Sequence, residues 1–427
     1  MATSRFTRNH SLRALAYPDF RLLLVETMLN GFLQPVHYLS TIFWVQDHYP
    51  DHSVVFVGLV AFMRGLGLLT FSFIGGAIAD RFPRRRVLLV CECIAGANVL
   101  FMAVAMLAEP LGDSTIILVY ASSFVLAAVM GVDLPTRAAS LADVTGRQDV
   151  ANAISLNAVG QQVAIPFIFP LLGFLNSTFD AGRVFLGSLA VYAGMIPLLL
   201  LLRYGSTHEE RRRNMFQNIR DGLSYASRDS TIFGVVAVVM VMNVVGMPGV
   251  GTLGPVWFSE VLGVNKTQFG LIAVGWPLGS IAASVIFSWR HNLAGRGAGL
   301  CLSGVVFAVA AVVISHSRIT EISAAMFFAC GFGMMGALIT ASTIVQHVVE
   351  EGMRGRVMAL FPLAQGISLL NAFPVSLVGQ ALGLEVVVPV FSWTALILTL
   401  ALVLGRPKLR RLRSSASPMH PVSVPSG

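Results

Sequence analysis

A twelve-residue stretch at positions 75–86 constrains the fold more than any other part of the sequence. It reads GGAIADRFPRRR, so the apolar run 54–79 ends in one acid and four arginines. A second apolar run begins at once with Val87. Two runs of membrane-spanning length joined by so short a charged turn predict a tight hairpin of helices. Lys and Arg are retained in the cytoplasm, so the arginines predict a cytoplasmic turn.

The composition supports a membrane protein. Of 427 residues, 55% are apolar and only 12% are charged, whereas soluble domains carry about 25% charged residues. The bilayer is therefore the expected solvent. The net charge of +8 does not predict nucleic-acid binding, because the charges lie in short turns rather than on one face or in one tail.

Twelve apolar runs of about 20 residues predict membrane-spanning helices, since lipid offers no partner for unpaired backbone groups. The first six lie at 21–46, 54–79, 86–108, 114–133, 150–175 and 183–203. The second six lie at 230–256, 267–289, 297–316, 320–342, 356–380 and 385–405. The sequence thus predicts an all-α membrane protein made of two six-helix bundles, 1–203 and 230–405.

The distribution of basic residues predicts the orientation. With both termini in the cytoplasm, the cytoplasmic segments hold 25 of the 29 Lys and Arg residues. The outer loops hold Arg183, Lys266 and Arg318, and Arg64 lies within a span. This bias predicts that both termini are cytoplasmic.

Three segments outside the spans carry their own predictions. The leader is basic, and no cleavable signal peptide is evident. The cytoplasmic linker 204–229 has apolar residues at helical spacing, which favour an amphipathic helix on the inner membrane surface. A plain linker is the alternative for its first half. The tail 406–427 is basic and then rich in Ser and Pro, which predicts disorder. The apolar linker residues are Phe216, Ile219, Leu223 and Tyr225.

The halves show traces of duplication. Spans 1 and 7 share Asn, Pro and Trp at the same spacing of 5 and 9 residues: Asn30, Pro35 and Trp44, and Asn243, Pro248 and Trp257. Spans 2 and 8 match at five of eleven positions when 57–67 is aligned with 269–279. Parallel repeats are a transporter design, with the binding site between the halves at the midplane.

Few charges are embedded in the spans. Arg64 is expected near mid-membrane, where an unpaired Arg costs at least about 2.5–3.5 kcal/mol, so it needs a polar cavity or a partner. His37 lies at a similar depth, and Glu26 lies closer to the cytoplasm. Because spans 1 and 2 are adjacent, Glu26, Asn30, His37 and Arg64 are a candidate cluster.

A proton-coupled carrier needs groups whose protonation changes as access alternates. The candidates are Glu26, His37 and Asp133. The alternative for His37 is a packed histidine bonded to a backbone carbonyl, and the alternative for Glu26 is an interfacial acid paired with Arg21. The centres of spans 7–12 contain no Asp, Glu, Lys or Arg, which places the expected proton site in the first half.

The sequence resembles the major facilitator superfamily of transporters. Residues 76–85 match the signature of that family between helices 2 and 3, with Pro83 where many members have Gly. Further stretches are similar to the bacterial branch of macrolide-type drug/proton antiporters and the enterobactin exporter. Span 5 holds Pro166 and Pro170 but lacks most glycines of the exporter motif. The branch-specific stretches are 133–139, 151–153, 221–225, Gln346 and 354–357.

The resemblance implies roles for several residues. Asp80, Arg81 and Arg84, with Asp133 nearby, are expected to latch the halves together in the outward-open state; cytoplasmic anchoring is the alternative. Helices 1, 4, 7 and 10 are expected to line the substrate cavity, and helix packing is the alternative for each residue. The candidate substrate contacts on those helices are Trp44, Tyr120, Met240, Asn243, Met247, Phe327 and Met334. The embedded polar residues Asn30 and Arg64 are further candidates.

The expected function is proton-coupled export of a lipophilic or amphipathic small molecule across the bacterial inner membrane. A monomer is expected, without metal or cofactor. The alternatives are an importer or facilitator of a small anionic nutrient, held by Arg64, and a lipid-moving protein. An enzyme is not expected, because no nucleophile–base pair or metal-ligand cluster is evident. An ATP-driven pump is not expected, because no GxxxxGK[ST] motif is present.

Overall fold

The computed structural model describes residues 10–203, 215–288 and 295–406. Within these residues the regular structure is helical, without strands. Ten helices are long and apolar enough to cross a membrane. The 31-residue first helix and the shorter apolar helix Ser230–Gly246 complete the predicted twelve. The chain is an all-α membrane protein. The start of the leader, residues 204–214 of the linker and the tail beyond 406 lie outside the described residues.

The N-terminal half contains six helices joined by short turns. They are Pro18–His48 (α1), Ser53–Arg81 (α2), Arg84–Ala108 (α3), 115–145 (α4), 147–178 (α5) and Ala181–Leu201 (α6).

The C-terminal half contains the other six. They are 230–260 (α7), 266–288 (α8), Arg296–His316 (α9), Thr320–Val348 (α10), Glu351–Leu382 (α11) and Leu384–Gly405 (α12).

A single glycine separates α4 from α5. Gly146 has φ 71°, a left-handed value that favours glycine, and it interrupts the helical stretch 115–178. α4 therefore continues well past residue 133, where the sequence predicted its end. The polar residues beyond that point do not stop the helix, because Arg137 finds carboxylate partners inside the protein.

α7 is not the regular helix predicted over 230–256. It combines an α-helical start, two π-helical turns and an α-helical end: Ser230–Met240, Val241–Gly246, Pro248–Thr252 and Gly254–Glu260. Pro248 has no N–H to donate, so it interrupts the α-helical hydrogen bonds. A Cβ on Gly246 would lie 2.5 Å from the Phe307 ring, so glycine lets α9 pack against this backbone.

Glycines at corresponding positions make equivalent contacts in the two halves. A Cβ on Gly67 of α2 would lie 2.4 Å from the Phe124 carbonyl oxygen of α4. A Cβ on Gly279 of α8 would lie 2.0 Å from the Phe328 carbonyl oxygen of α10. These two glycines align in the duplication of 57–67 and 269–279. Each half therefore packs its second helix closely against its fourth.

The halves meet along two helix pairs, α2 with α11 and α5 with α8. A Cβ on Gly58 would lie 2.0 Å from Oγ of Ser376. A Cβ on Gly173 would lie 2.6 Å from the Lys266 carbonyl oxygen and 3.0 Å from Cα of Gly270. Small residues thus allow the backbones to approach closely, as in other membrane helix pairs.

Polar contacts between the halves concentrate at the end that the charge bias predicts to be outer. They join Gln46 with Ser259, Ser53 with Glu260, Thr267 with Ser177, Gln380 with Asp51, and Lys266 with Asp47. At the opposite ends, Arg84 pairs with Asp143 within the N-terminal half, and Arg356 of the C-terminal half pairs with Asp221 of the linker. The five contacts named above thus hold the two halves together at the predicted outer end.

The linker contains a helix, Met215–Arg228, that docks on the C-terminal half. Asp221 pairs with Arg356 at the start of α11, at 2.7 Å. A Cβ on Gly222 would lie 2.5 Å from the Arg356 carbonyl oxygen, so the two helices touch there. Leu223 is 57% exposed, and contact of this side chain with the membrane surface stays a prediction.

We expect Gly173→Leu to hinder closure of the predicted outer end, because the new side chain needs space occupied by the α8 backbone. Val264, buried beside this interface, can be replaced by Cys in a background without the native cysteines. A membrane-impermeant maleimide added to intact cells should then label Cys several-fold faster in the Gly173→Leu variant. Gly187→Leu is the matched control, since no atom lies within 4 Å of its new Cβ. Equal labelling of the two variants would contradict the close α5–α8 contact.

Candidate functional site

Arg137 on α4 is buried in the N-terminal half, with its side chain 3% exposed. Its guanidinium donates to both carboxylate oxygens of Glu26 on α1. It also donates to both oxygens of Asp133, one helical turn earlier, at 2.9 and 3.0 Å. Forked pairs of this kind fix orientation as well as charge. Arg137 thus fastens α4 to α1.

A third carboxylate reaches the same guanidinium from α3. Nη2 of Arg137 lies 3.3 Å from Oε1 of Glu92. That oxygen also accepts a hydrogen bond from Nδ2 of Asn30, at 3.1 Å. The four charged residues Glu26, Glu92, Asp133 and Arg137 are called the charge cluster below. Three helices therefore meet at one buried ionic group.

The charge cluster contains more acids than bases. With all three carboxylates ionised, the formal charge of the cluster is −2. Its four side chains are each at most 7% exposed. An ionised group at the bilayer centre costs at least about 2.5–3.5 kcal/mol. Binding of a proton or of a cationic group lowers that cost. The arrangement can therefore bind and release protons, or exchange them for a cation.

A small cavity lies beside the charge cluster, with Glu92 and Asp133 in its wall. α1, α2, α3, α4 and α6 all contribute to the lining. Glu26 does not line the cavity and is connected to it through Arg137. The other polar residues of the lining are Asn30, Gln34, His37, Arg64 and Tyr192.

Arg64 lines this cavity without a carboxylate partner. Its guanidinium carbon lies 5.2 Å from the centre of the Tyr38 ring, and it forms no ion pair with any residue that the structure describes. The side chain of Tyr38 lies next to Thr252 on α7 of the other half. A cation–π contact is worth about 0.5–2 kcal/mol, less than the cost of burying Arg. The guanidinium is therefore available to a ligand.

His37 is buried and stacked between two aromatic rings. The ring centroids of Phe185 and Tyr192 lie 5.7 and 6.0 Å away, with nearly parallel planes. Its Nε2 atom is buried and has no hydrogen-bond partner among the described residues. This nitrogen therefore lacks the backbone bond of the packing alternative.

The structure assembles most of the cluster that the sequence predicts. Asn30, His37 and Arg64 line one cavity, and Glu26 joins it through Arg137. The alternative in which Glu26 pairs with Arg21 is wrong, because the Glu26 carboxylate is buried against Arg137. Asp133, the third predicted proton site, lines the same cavity.

Two other candidates of the N-terminal half lie outside the cavity. Trp44 is buried near the predicted outer end and stacks on His48, with centroids 4.5 Å apart. Tyr120 lies edge-on to Phe56 at 6.4 Å. Both residues therefore contribute to packing in this conformation.

The C-terminal candidates pack within their own half. Nδ2 of Asn243 donates to the Val239 carbonyl and lies 3.9 Å from Sδ of Met334. Phe327 is edge-on to Trp276 at 5.5 Å. None of the five lines the cavity beside the charge cluster: Met240, Asn243, Met247, Phe327 and Met334.

The latch residues do not join the halves in this conformation. Asp80 and Arg81 are exposed, and Asp80 bonds to no residue that the structure describes. Arg84 pairs with Asp143 at 2.7 Å and donates to the Ala139 carbonyl, both within the N-terminal half. A latch in the outward-open state stays a prediction.

The sequence reasoning missed Glu92 and Arg137. Counting Arg137 among the cytoplasmic cations was wrong, because its side chain is buried. Signals were available for both residues. Glu92 is an acid within an apolar span, and Arg137 follows Asp133 by four residues, the spacing of an ion pair on one helix face.

We expect Arg137→Met to destabilise the protein strongly, because three buried carboxylates lose their counter-charge. Breaking a buried ion pair typically costs about 3–5 kcal/mol. Acidification should recover part of the loss, since protonated carboxyl groups need no cation. Thermal unfolding of the purified protein at neutral and acid pH measures both effects.

Arg183→Met is the control for this experiment. Arg183 pairs with Asp180 in an exposed position, and such pairs contribute at most about 1 kcal/mol. Equal stability of the two variants at neutral pH would contradict a structural role for Arg137.

Comparison with known proteins identifies the family. The model of the Major Facilitator Superfamily matches residues 22–372. The chain is 21% identical to the Staphyloferrin A transporter of Staphylococcus aureus (strain NCTC 8325 / PS 47) over 341 residues. That alignment covers 78% of this chain and 83% of the relative.

Solved structures show the same fold. The nucleoside transporter NupG has a TM-score of 0.66 at 11% identity, covering 91% of this chain and 98% of that chain. A bacterial homolog of the human lysosomal transporter Spinster, inward-facing and unoccupied, has a TM-score of 0.65 at 14% identity, covering 92% and 98%. With the family match spanning most of the sequence, the protein is a transporter rather than an enzyme, and it belongs to the Major Facilitator Superfamily.

Proposed function

We propose that this protein is a secondary transporter that exports an amphipathic small molecule in exchange for protons. The observation that carries the proposal is the charge cluster, an acid-rich buried group beside a polar cavity. The proposed setting is the bacterial inner membrane, with the protein acting as a monomer. The proposed branch is that of the macrolide-type drug/proton antiporters and the enterobactin exporter, which the sequence motifs resemble.

Within the charge cluster, Glu92 and Asp133 are the proposed proton-exchanging pair, because both line the cavity. Arg137 holds their carboxylates in place, and Glu26 holds Arg137 from the other side. When the cavity opens to one side of the membrane, the pair equilibrates with water on that side. Proton uptake lowers the buried negative charge, and proton loss restores it.

Alternating access follows from the contacts between the halves. The predicted outer end is held by hydrogen bonds and by the close approach of Gly173 to Gly270. At the predicted cytoplasmic ends, the pairs Arg84–Asp143 and Arg356–Asp221 do not cross from one half to the other. These contacts favour an inward-facing state. In the outward-open state, a latch that includes Asp80 is proposed to replace these outer-end contacts.

The proposed cargo combines polar and apolar parts. Polar lining comes from the N-terminal half, whereas α7 and α10 supply methionine and aromatic side chains that adapt to varied ligands. The similarity to the Staphyloferrin A transporter supports an organic small molecule as cargo.

An importer of a small anion is the second candidate, because Arg64 offers an unpaired guanidinium to the cavity. The two candidates differ in the direction of transport under one proton gradient. In everted vesicles with an acid interior, an exchanger accumulates its substrate, whereas a symporter expels it.

We expect everted vesicles containing this protein to accumulate the amphipathic amino acid Nε-dansyl-lysine, relative to vesicles without the protein, when respiration acidifies their interior. An uncoupler should abolish the accumulation. Glu92→Gln should reduce it at least about tenfold, because a neutral amide cannot exchange a proton. Glu109→Gln, a change at an outer-end acid paired with His48, is the control. Accumulation that survives the uncoupler would contradict proton coupling.

We expect Asp80→Asn to weaken the outward-open state, because the amide loses the charge that can cap a helix or pair with arginine. In the Val264→Cys background, external maleimide labelling should become slower than in the parent. Asp113→Asn, in the loop before α4, should leave the rate unchanged. Unchanged labelling in both variants would count against the latch.

A further inference from the structure

We infer that the substrate is zwitterionic. Its cationic group takes the place of protons at Glu92 and Asp133, and its anionic group pairs with Arg64. The exchange with protons rests on the proposed function. The binding of a ligand with both charges rests on the cavity itself, in which these three residues share one lining.

Opposite charges line this cavity without neutralising one another. Arg64 has no carboxylate partner among the residues that the structure describes. Glu92 and Asp133 share the single guanidinium of Arg137 with Glu26. One uncompensated cation and an excess of carboxylates therefore face a common space. A ligand that carries both charges satisfies both.

Each charged group is held in place by its own neighbours. Arg64 lies over the Tyr38 ring, whereas Glu92 is held by Asn30 and Arg137. Asp133 is held by Arg137 from the next helical turn. These contacts hold the two signs of charge on separate supports. The cavity, about 20 Å³ in volume, has room for roughly one water in this conformation and widens to admit a dipolar ligand when it opens to one side of the membrane.

A second observation points to a polar ligand. His37 lines the cavity, is only 3% exposed and leaves Nε2 without a partner among the described residues. Buried polar atoms normally find a hydrogen-bond partner. Gln34 lies one turn earlier on α1 and lines the same cavity. Neutral polar groups thus accompany the charged ones.

The apolar part of the ligand is assigned to the C-terminal half. Arg64 lies over the Tyr38 ring, and Tyr38 is a neighbour of Thr252 in the π-helical part of α7. In the alignment of 57–67 with 269–279, Arg64 corresponds to Trp276, which packs edge-on to Phe327. The second half therefore offers aromatic surface where the first offers charge.

The charge of the ligand determines whether it exchanges with protons or is transported together with them. An anion on Arg64 removes positive charge near Glu92 and Asp133 and so favours proton binding, which leads to co-transport. Exchange requires competition between ligand and proton. A cationic group at the carboxylates competes directly, and Arg64 then requires an anionic group on the same ligand.

Four dansyl compounds with one five-carbon chain test this inference. Nε-dansyl-lysine is zwitterionic, dansylcadaverine lacks its carboxylate, 6-(dansylamino)hexanoate lacks its amine, and N-pentyl dansylamide lacks both. Fluorescence titration of the full-length protein in lipid nanodiscs gives the four affinities without a proton gradient. Nε-dansyl-lysine should bind at least about tenfold more tightly than each of the others.

Substitutions test which residue binds each charged group of the ligand. Arg64→Gln should lower the affinity for Nε-dansyl-lysine to that of dansylcadaverine, and Arg64→Lys should recover part of it. Glu92→Gln should lower it to that of 6-(dansylamino)hexanoate. Acidification of the wild-type protein should have the same effect as Glu92→Gln, which keeps the test decisive if that variant folds poorly. Arg183→Gln, remote from the cavity, should change no affinity.

Each contrary outcome has a defined meaning. Equal binding of 6-(dansylamino)hexanoate and Nε-dansyl-lysine would overturn the cationic contact and favour the anion importer. Equal binding of dansylcadaverine and Nε-dansyl-lysine would overturn the role of Arg64. Equal binding of all four would indicate a purely apolar site. Intact zwitterion selectivity without gradient-driven accumulation would refute the exchange function and leave the binding inference standing.

Discussion

The buried contact between Arg137 and its three carboxylates is the interaction on which the N-terminal half depends. It joins α1, α3 and α4 at one point. The guanidinium needs the carboxylates to be buried, and the carboxylates need the guanidinium. Because Arg137 is drawn into the bundle, α4 continues beyond its expected end, and Asp133 and Glu92 are held in the wall of the cavity. In the proposed mechanism, proton exchange, substrate contact and helix packing share this one group of side chains.

The two halves resemble each other in packing and differ in chemistry. Gly67 and Gly279 make the same kind of close helix contact at corresponding positions. Yet the embedded charges belong to the first half, and Arg64 corresponds to Trp276 in the second. Glycine contacts are governed by backbone geometry, which duplication preserves. Charged side chains need partners, and the first half supplies them for the four residues of the charge cluster. We interpret the first half as the coupling half and the second as an apolar wall that moves against it.

The sequence predicted the twelve-helix layout because hydropathy and basic turns depend on the chain alone. It predicted the meeting of Asn30, His37 and Arg64 because a helix has a fixed rise, which sets their depth. Glu92 and Arg137 were missed, since their role depends on which helix faces meet. The π-helical turns of α7 were not predicted either, although Pro248, which interrupts the α-helical hydrogen bonds, is visible in the sequence. Local patterns thus predicted the elements, whereas partners across helices came from the three-dimensional packing.

The most direct test is whether the charge cluster itself binds and releases protons. Infrared difference spectroscopy of the protein in lipid bilayers, as the pH is stepped from alkaline to acid, detects the carbonyl stretch of each newly protonated carboxylic acid. If the cluster exchanges protons, Glu26→Gln, Glu92→Gln and Asp133→Asn should each alter a band that the exposed-site variant Asp180→Asn leaves unchanged. Identical carboxylic-acid bands in the wild type and the three cluster variants would contradict proton exchange at this site.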